Sequence, residues 1–498
     1  MKGKWFPKQL NTHIIQRTLN SDSVLFNWDS RSYLTNTSIG DLFPLSIFSD
    51  VEQAFNPEAG KIKEDEWKRI RLDSLTIREK ATYKTYEDLP LKTLNKFNRL
   101  NNIVTTISLN AVPWGKVDIP FKYFINGINK YEGFRIGGGL QTNPLFNKYF
   151  SLGAFAGYGV KDKAWKYGGN IILNLKERTA TNITLTYEQN LSEPANVDYF
   201  LNKKSPLFNQ SFRKFLAARM DSIELYKIDL TTKIIPSLQT NFWLQNEKRN
   251  PAGYNYLFEN KKGEDISQFR NTEIGLGFRY AKGEKYIKIG RAKILNKPAT
   301  AQFLLQISKG LEGISKGNFQ YTKIALQLNR LINSKIFGQT NIQIEGGKIW
   351  GNLPYSYLFN TNASATERKT NIFIPNTFQT VRLYEFVSSQ TASLFLQNDF
   401  ASLLFKSKNI LFRPNFLFVQ SIGYGKLKNA SSHKLINLKS PNKGLYESGI
   451  MIKNIYKKKI NNSFYLGFGG GFFYRYGYYH LDKPLDNWAF KFGLNFSF

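Results

Sequence analysis

The chain holds three histidines, His13, His433 and His480, and no cysteine. Nucleophilic hydrolysis would need a histidine within reach of a serine or a carboxylate. His480 and Asp482 are two residues apart, so they share one face of an extended backbone. Ser431, Ser432 and His433 are consecutive. Both groups stand in loop sequence rich in Lys and Asn, where a histidine is ordinarily solvated. No catalytic residue is assigned, and the chain is expected not to be an enzyme. Metal binding would need converging imidazoles or carboxylates. The nearest candidate, Glu264 beside Asp265, diverges on an extended strand, so no metal and no cofactor are expected. Without cysteine there is no disulfide and no thiolate chemistry. Two glycine groups, Gly137, Gly138 and Gly139 and then Gly469–Gly471, lack a following Gly-Lys-Ser/Thr and lie inside strand pattern, so they are not phosphate loops. Glycine there allows bending or the close approach of an inward segment.

Net charge is +32, from 69 Lys and Arg against 37 Asp and Glu. Such a balance attracts polyanions. No basic helix or aromatic RNA-binding motif organises it, so nucleic acid is not an expected partner. Anionic lipid headgroups are. The composition is 42% hydrophobic and 15% aromatic, with a mean hydropathy of −0.38. No run approaches the roughly 18–20 apolar residues of a spanning helix. A membrane barrel needs none, because every second residue faces a polar lumen.

The elements that position these residues are strands. The last eight residues, KFGLNFSF, place Phe492, Leu494, Phe496 and Phe498 on one face and Lys491, Gly493, Asn495 and Ser497 on the other. The same alternation begins at YEGFRIGGGLQTN, from Tyr131, where Phe134, Ile136, Gly138 and Leu140 oppose Arg135, Gly137 and Gly139. It is cleanest in TNITLTYEQNL, where Ile183, Leu185 and Tyr187 oppose Asn182, Thr184, Thr186 and Glu188. KYFSLGAFAGYGV and WKYGGNIILNLKER add two more, and further strands are read near 211–222 (SFRKFLAARMDS, which could also be a helix), 224–235, 238–248, 269–281, 300–311, 318–332, 336–350, 386–400, 409–424, 444–457, 463–477 and 489–498, while 282–298 could hide another. The fold class is therefore all-β: a transmembrane antiparallel β-barrel of about sixteen strands, with a short mixed N-terminal periplasmic segment. The segment is 1–125 and the barrel 126–498. Within the segment, Thr76 and Glu79 have capping-box spacing and Pro90 would stop a short helix near 76–89. With the last strand ending in the periplasm, the long connectors 249–268, 351–385, 425–443 and 478–488 fall outside. Two others, 192–210 and 282–298, fall on the periplasmic side despite their length. Tyr474, Tyr476, Tyr478, Tyr479 and Trp488, and Trp350 with Tyr355 and Tyr357, suit a girdle at the membrane boundary. The first strand, with Phe134, Gly137, Gly138 and Gly139, is expected to meet the last at the closing seam, with nothing from 1–125 between them. The start, MKGKWFPKQLNTHIIQ, lacks a secretory signal's apolar core, so the true beginning is expected to be missing.

The stretches YEGFRIGGGLQTN, GYGVKDKAWKYGG and LYEFVSSQTASLFLQNDF resemble a family of uncharacterised Gram-negative outer-membrane proteins. Its full-length members carry a signal peptide and an N-terminal carboxypeptidase-regulatory-like domain, which this chain lacks. More distantly, the barrel is similar to the surface-antigen superfamily of barrel-assembly insertases and two-partner-secretion translocators. In that superfamily the sixth outer loop folds into the lumen carrying Val-Arg-Gly-Tyr/Phe. Val381, Arg382 and Tyr384 match, while Leu383 replaces the glycine. The translocators' Asn-Glu-Leu is similar to Asn398-Asp399-Phe400. The resemblance implies that Arg382 pins the loop inside the barrel by a charge-assisted contact. Glu345, opposite in parity to Ile342 and Ile344, is the candidate acceptor. It also implies an outer-membrane barrel of translocase-like or insertase-like kind for polypeptide or lipid, itself inserted by barrel-assembly machinery. The alternatives are a passive pore or structural surface barrel and, more remotely, a rim hydrolase. The client is not named by the sequence.

Overall fold

Period-two alternation builds strands over most of residues 111–497 in the computed structural model. It describes residues 7–17, 24–34, 50–55, 63–87 and 102–497, apart from 104, 126, 198–210, 366–369, 402, 408, 410 and 460–464. Two compact units are present. One is Met1–Ser49 with Ala54–Asn102; the other is Asp50–Gln53 with Ile103–Phe498.

In the first unit, strands Gln9–Arg17 and Val24–Tyr33 form a hairpin, and helices span Glu64–Ile70 and Ile77–Glu87. The second helix begins as its sequence predicts. Thr76 Oγ1 accepts from the Glu79 N–H at 3.3 Å, and the Glu79 carboxylate accepts from the Thr76 N–H at 2.7 Å. This reciprocal pairing satisfies donors that the first helical turn leaves open. Pro90 lies outside the described residues.

The second unit is a rolled antiparallel sheet whose wall starts at Ala111, before the expected boundary at 125. A hairpin comes first: β1 (Ala111–Trp114) and β2 (Val117–Pro120). Then follow β3 (Arg135–Thr142), β4 (Phe150–Gly159), β5 (Trp165–Lys176), β6 (Thr181–Ser192), β7 (Met220–Ile235) and β8 (Leu238–Ala252). Next come β9 (Phe269–Lys282), β10 (Ala301–Gly310), β11 (Tyr321–Ser334), β12 (Gly338–Trp350) and β13 (Gln390–Asp399). The wall ends with β14 (Asn415–Lys426), β15 (Leu445–Lys459), β16 (Tyr465–Tyr476) and β17 (Trp488–Ser497). Each pairs antiparallel with the next. Fifteen of these seventeen are eight residues or longer.

One expectation is corrected here. The stretch 211–222 is not a strand: Ser211–Leu216 is a short helix, and β7 then runs unbroken through Ile235. Removing that strand moves the 193–219 connector to the end of the barrel that carries the other long loops. The stretch 282–298 stays at the short-turn end. It forms a hairpin, Lys285–Ile289 with Ala292–Lys297. That hairpin is tied down by Arg291 on Asp118 and by Lys293 on Asp50, at 3.0 and 2.8 Å.

Side chains sort by parity as the alternation requires. In β17, Phe492 and Leu494 are 51% and 43% exposed on the outward face, while Lys491 is fully buried inside. Asn495 also points inward and bonds Asn454. The side chains of Phe496 and Phe498 lie outside the described residues. At the other end of the sheet, Phe134 and Ile136 are exposed. The glycines of β3 do allow close approach, and the helix Lys122–Ile125 is what approaches. Tyr123 of that helix stacks on Phe155, and a Cβ at Gly139 would lie 2.5 Å from its ring. Phe124 of the same helix lies over Gly138, where a Cβ would come within 3.2 Å of its ring. Gly137 has φ of +155°, and a Cβ there would meet the Ala156 carbonyl oxygen at 2.2 Å. Gly137→Ala is therefore expected to destabilise the β3–β4 ladder by about 1–3 kcal/mol. Hydrogen exchange should show this as faster exchange confined to β3 and β4.

Candidate functional site

The connector between β12 and β13 folds back into the barrel and makes its own small structure. Tyr355–Tyr357 form a buried 3-10 turn. Phe359–Asn360 pairs antiparallel with Val387–Ser388, and Ala363–Ala365 pairs parallel with Phe378–Arg382. The inserted segment is apolar where it meets the wall. Phe373 stacks on Phe473 of β16, and Phe378 packs edge-on against Phe395 of β13 at 5.3 Å. The Phe359 ring fills the space a side chain at Gly347 would take.

Polar groups on three neighbouring strands hold the segment in place. The Glu447 carboxylate on β15 accepts from the Gln379 N–H at 2.8 Å, the Thr380 N–H at 2.6 Å and the Thr380 hydroxyl at 2.5 Å. Arg475 on β16, buried to 2% exposure, donates to Glu385 at 2.8 Å. Lys491 on β17 donates to the Ser364 carbonyl at 3.4 Å. Buried charges persist only when partnered; Glu447 and Lys491 attract each other, and the hydrogen-bond partners given above for all three belong to the inserted segment.

The residues expected to do the pinning are arranged differently. Val381 is fully buried, in the inserted strand. Arg382 is exposed, and it is its backbone N–H that bonds, to Glu385 at 3.0 Å. Glu345 accepts from Gln343 at 2.6 Å and Asn362 at 2.5 Å. The Arg382–Glu345 pair is thus replaced by wall Arg475 on loop Glu385, with the charges reversed. Without a glycine at 383, the left-handed turn falls one residue later, on Tyr384 with φ of +64°. The Tyr384 ring lies 5.2 Å from the Arg219 guanidinium. Asn398 and Asp399 sit at the short-turn end, bonded to the Phe337 carbonyl and to Lys453. Glu447, Arg475 and Lys491 were missed by sequence reasoning. Their signal was present: each is a charge at inward parity on a spanning strand, Glu447 and Arg475 near the loop end of β15 and β16 and Lys491 between Phe490 and Phe492 of β17.

The seam also departs from expectation. Phe134, Gly137, Gly138 and Gly139 were expected to lie against Phe492, Leu494, Phe496 and Phe498, but among the described residues no ladder joins β17 to β3. The free edge of β3 carries β2, through Val117–Thr142 and Asp118–Gln141. Beside it the helix Lys122–Ile125 sets Phe124 against Gly138 and Tyr123 against Gly139. Both fillers belong to the first 125 residues, which were expected to take no part. The physical reason is that glycines present no side chain, so the short helix can lie where a strand was expected. The free edge of β17 is paired in parallel by the inserted segment, Thr370 with Phe490, Asn371 with Lys491 and Ile372 with Phe492. The Phe373 N–H extends it to the Phe492 carbonyl at 2.7 Å. Fourteen antiparallel steps lie between the first and last long strands, so both run the same way and no antiparallel ladder can join them.

The other long connectors close over the inserted segment. The Ala195 N–H donates to the Ser356 carbonyl at 2.8 Å. His433 is not a solvated loop histidine. It is buried in a strand pairing with Leu257–Phe258, and its Nδ1 shares a hydrogen bond with the Tyr256 hydroxyl at 2.7 Å. Burial pushes its pKa down to about 4. Tyr355 and Tyr357 are buried in the same packing and do not belong to a girdle; Tyr474 and Trp488, 4.8 Å apart, face outward as expected. His480 is exposed and its Nδ1 bonds the Gly477 carbonyl, not Asp482. Glu264 accepts from Asn260, and Asp265 pairs with Lys434.

Residues 115–424 match the profile of the C-terminal domain of a family of unknown function, DUF5686. The chain belongs to that family. The match takes in β2 to β13, most of β14 and the whole inserted segment. The sequence matches no curated protein. Among solved structures, the chain is similar to BamA from Haemophilus ducreyi lacking POTRA domains 1–3, at 10% identity and a TM-score of 0.42, over 74% of this chain and 68% of that one. It is similar to CdiB from Acinetobacter baumannii at 11% identity and a TM-score of 0.38, over 73% of this chain and 56% of that one. The chain thus spans less than two thirds of that CdiB. The Pseudomonas aeruginosa protein OccK10 (OpdN) is similar at 12% identity and a TM-score of 0.29, over 73% of this chain and 92% of that one.

Two measurements check this site. Glu447→Ala leaves two backbone donors and a hydroxyl unpaired, at a cost of about 3 kcal/mol. Planar-bilayer recordings should show low conductance for the unaltered protein and larger, fluctuating conductance for the variant. His433 is neutral when folded and has an ordinary pKa of 6.5 when unfolded. Its contribution is therefore fully present above pH 6.5 and is lost as pH falls towards 4, a change of about 3 kcal/mol. Hydrogen exchange in 254–258 and 433–434 should accelerate over that window, and His433→Phe should flatten the response.

Proposed function

We propose that this chain is an outer-membrane barrel of translocase-like or insertase-like kind, which receives a polypeptide or lipid client at the edge of β17. The observation that carries this is the short parallel ladder between residues 370–372 and Phe490–Phe492. Inside a bilayer an unpaired strand edge costs several kcal/mol for each open group. The inserted segment satisfies that edge with only a few bonds in the weaker parallel arrangement. An extended client strand can replace it by the same backbone pairing.

Membrane insertion is supported by the outward faces of the long strands. Ile228 and Leu230, Phe242 and Leu244, and Phe492 and Leu494 are all exposed apolar side chains at one parity. The excess of Lys and Arg suits contact with anionic headgroups. Outer-membrane residence would make barrel-assembly machinery the partner during biogenesis. The passive-pore reading is less well supported, because a segment pinned by Glu447, Arg475 and Lys491 occupies the interior.

The absence of cysteine makes a direct test simple. Ile372→Cys with Phe492→Cys should form a disulfide on mild oxidation in cells. A photo-crosslinking residue at Leu494 should then give adducts with other molecules in the reduced protein and lose them in the oxidised one. Identical adducts in both states, or a large and steady conductance in the unaltered protein, would overturn the proposal.

A further inference from the structure

A second site lies on the outward face of β5–β8, at their loop ends. Tyr187 and Tyr226 pack at 4.9 Å, with Tyr167 beside them, and form a boundary row of rings. The next row towards the loops is polar: Gln189 stands opposite Glu224, and Glu224 opposite Lys248. Beyond it Ser222 stands opposite Asn250. These residues share the parity of the exposed rings, so they face away from the lumen. With Tyr131, Asp162 and Trp165 they line a pocket of about 270 Å³.

Two features mark this pocket as built. Tyr131 lies over Gly253, where a Cβ would come within 2.4 Å of the ring. Asp162 is 5% exposed and paired with Lys166, yet its Oδ1 has no hydrogen-bond partner. Lys166 is held in turn by Glu132 at 3.2 Å. Glu224 is oriented by the Tyr226 hydroxyl, which donates to it at 3.2 Å.

We propose that this pocket binds one saccharide ring. The Glu224 carboxylate accepts, the Lys248 ammonium donates, and the amides of Gln189 and Asn250 do both, which is the mixture that vicinal hydroxyls require. Tyr131 and Trp165 offer ring faces for the apolar side of a sugar. Two carboxylates against Lys166 and Lys248 leave no net charge, which selects a neutral ligand over a free anion. The volume lies just below the roughly 300 Å³ at which drug-sized pockets begin, so it suits one ring rather than a chain. The ring comes either from a glycolipid headgroup, since the pocket adjoins the boundary row, or from free sugar.

The test uses the purified full chain. Saturation-transfer NMR with glucose and N-acetylglucosamine reads the free sugar. Nanodiscs with and without monoglucosyl diacylglycerol read the lipid form. Saturable binding of either, weakened at least tenfold by Asn250→Ala and by Glu224→Gln, is expected, and the arm that saturates identifies the source. Both variants lie at the rim, and an unchanged unfolding temperature confirms that they fold. No saturable binding in either arm, or binding that the two variants leave unchanged, would overturn the proposal.

Discussion

The rest of this barrel depends on how its two strand edges are covered. A rolled sheet in a hydrocarbon slab leaves no backbone group open unless its first and last strands meet. Here the fifteen long strands are odd in number, so β3 and β17 run in the same direction. Among the described residues no antiparallel ladder joins them. A sixteenth strand starts at Val117 but stops at Pro120, which has no N–H to give a ladder. The chain turns instead into a short helix against the β3 glycines. The opposite edge is left to the inserted segment.

That arrangement links the lumen to the seam. The segment pinned by Glu447, Arg475 and Lys491 is the one whose residues 370–372 line the edge of β17. Lys491 sits in both roles, bonding the segment from within and standing in the paired stretch. Movement of the segment would therefore open the interior and the strand edge together. The wall glycines under Phe359 and Phe378 make the docking close. The buried charges of Glu447 and Lys491 attract each other within the wall, and the segment supplies the hydrogen-bond partners that complete them.

The outer connectors add a second layer. Tyr256, Phe258, Phe269, Phe319 and His433 form a continuous aromatic packing with Tyr355 at the start of the inserted segment. Their sequences are polar enough to read as solvated loops. Their burial follows from convergence: four connectors at one end of a narrow cylinder cover one another's apolar residues.

Sequence by itself determined the all-β class, the alternation of lipid-facing and lumen-facing residues, the positions of most strands and the capped helix at Thr76. Those follow from local rules: a period of two, and a cap three residues from its partner. The run from Gly137 to Gly139 was marked as a place of close approach, and the resemblance carried by Val381, Arg382 and Tyr384 implied that their connector folds inward. Only the tertiary structure decided what approaches there and what holds the connector. Arg382 carried the resemblance, yet its side chain faces solvent, while the anchoring charges come from strands about 60 to 110 residues further on. Parity identifies an inward charge; it does not say which backbone will arrive beside it. The strand read at 211–222 failed for a related reason. Residues 211–222 can be read as a strand or as a helix, and in the fold the helix carries Arg213, which reaches Glu193 and the Ala363 carbonyl. Such contacts arise between distant segments, and a window of ten residues holds no trace of them.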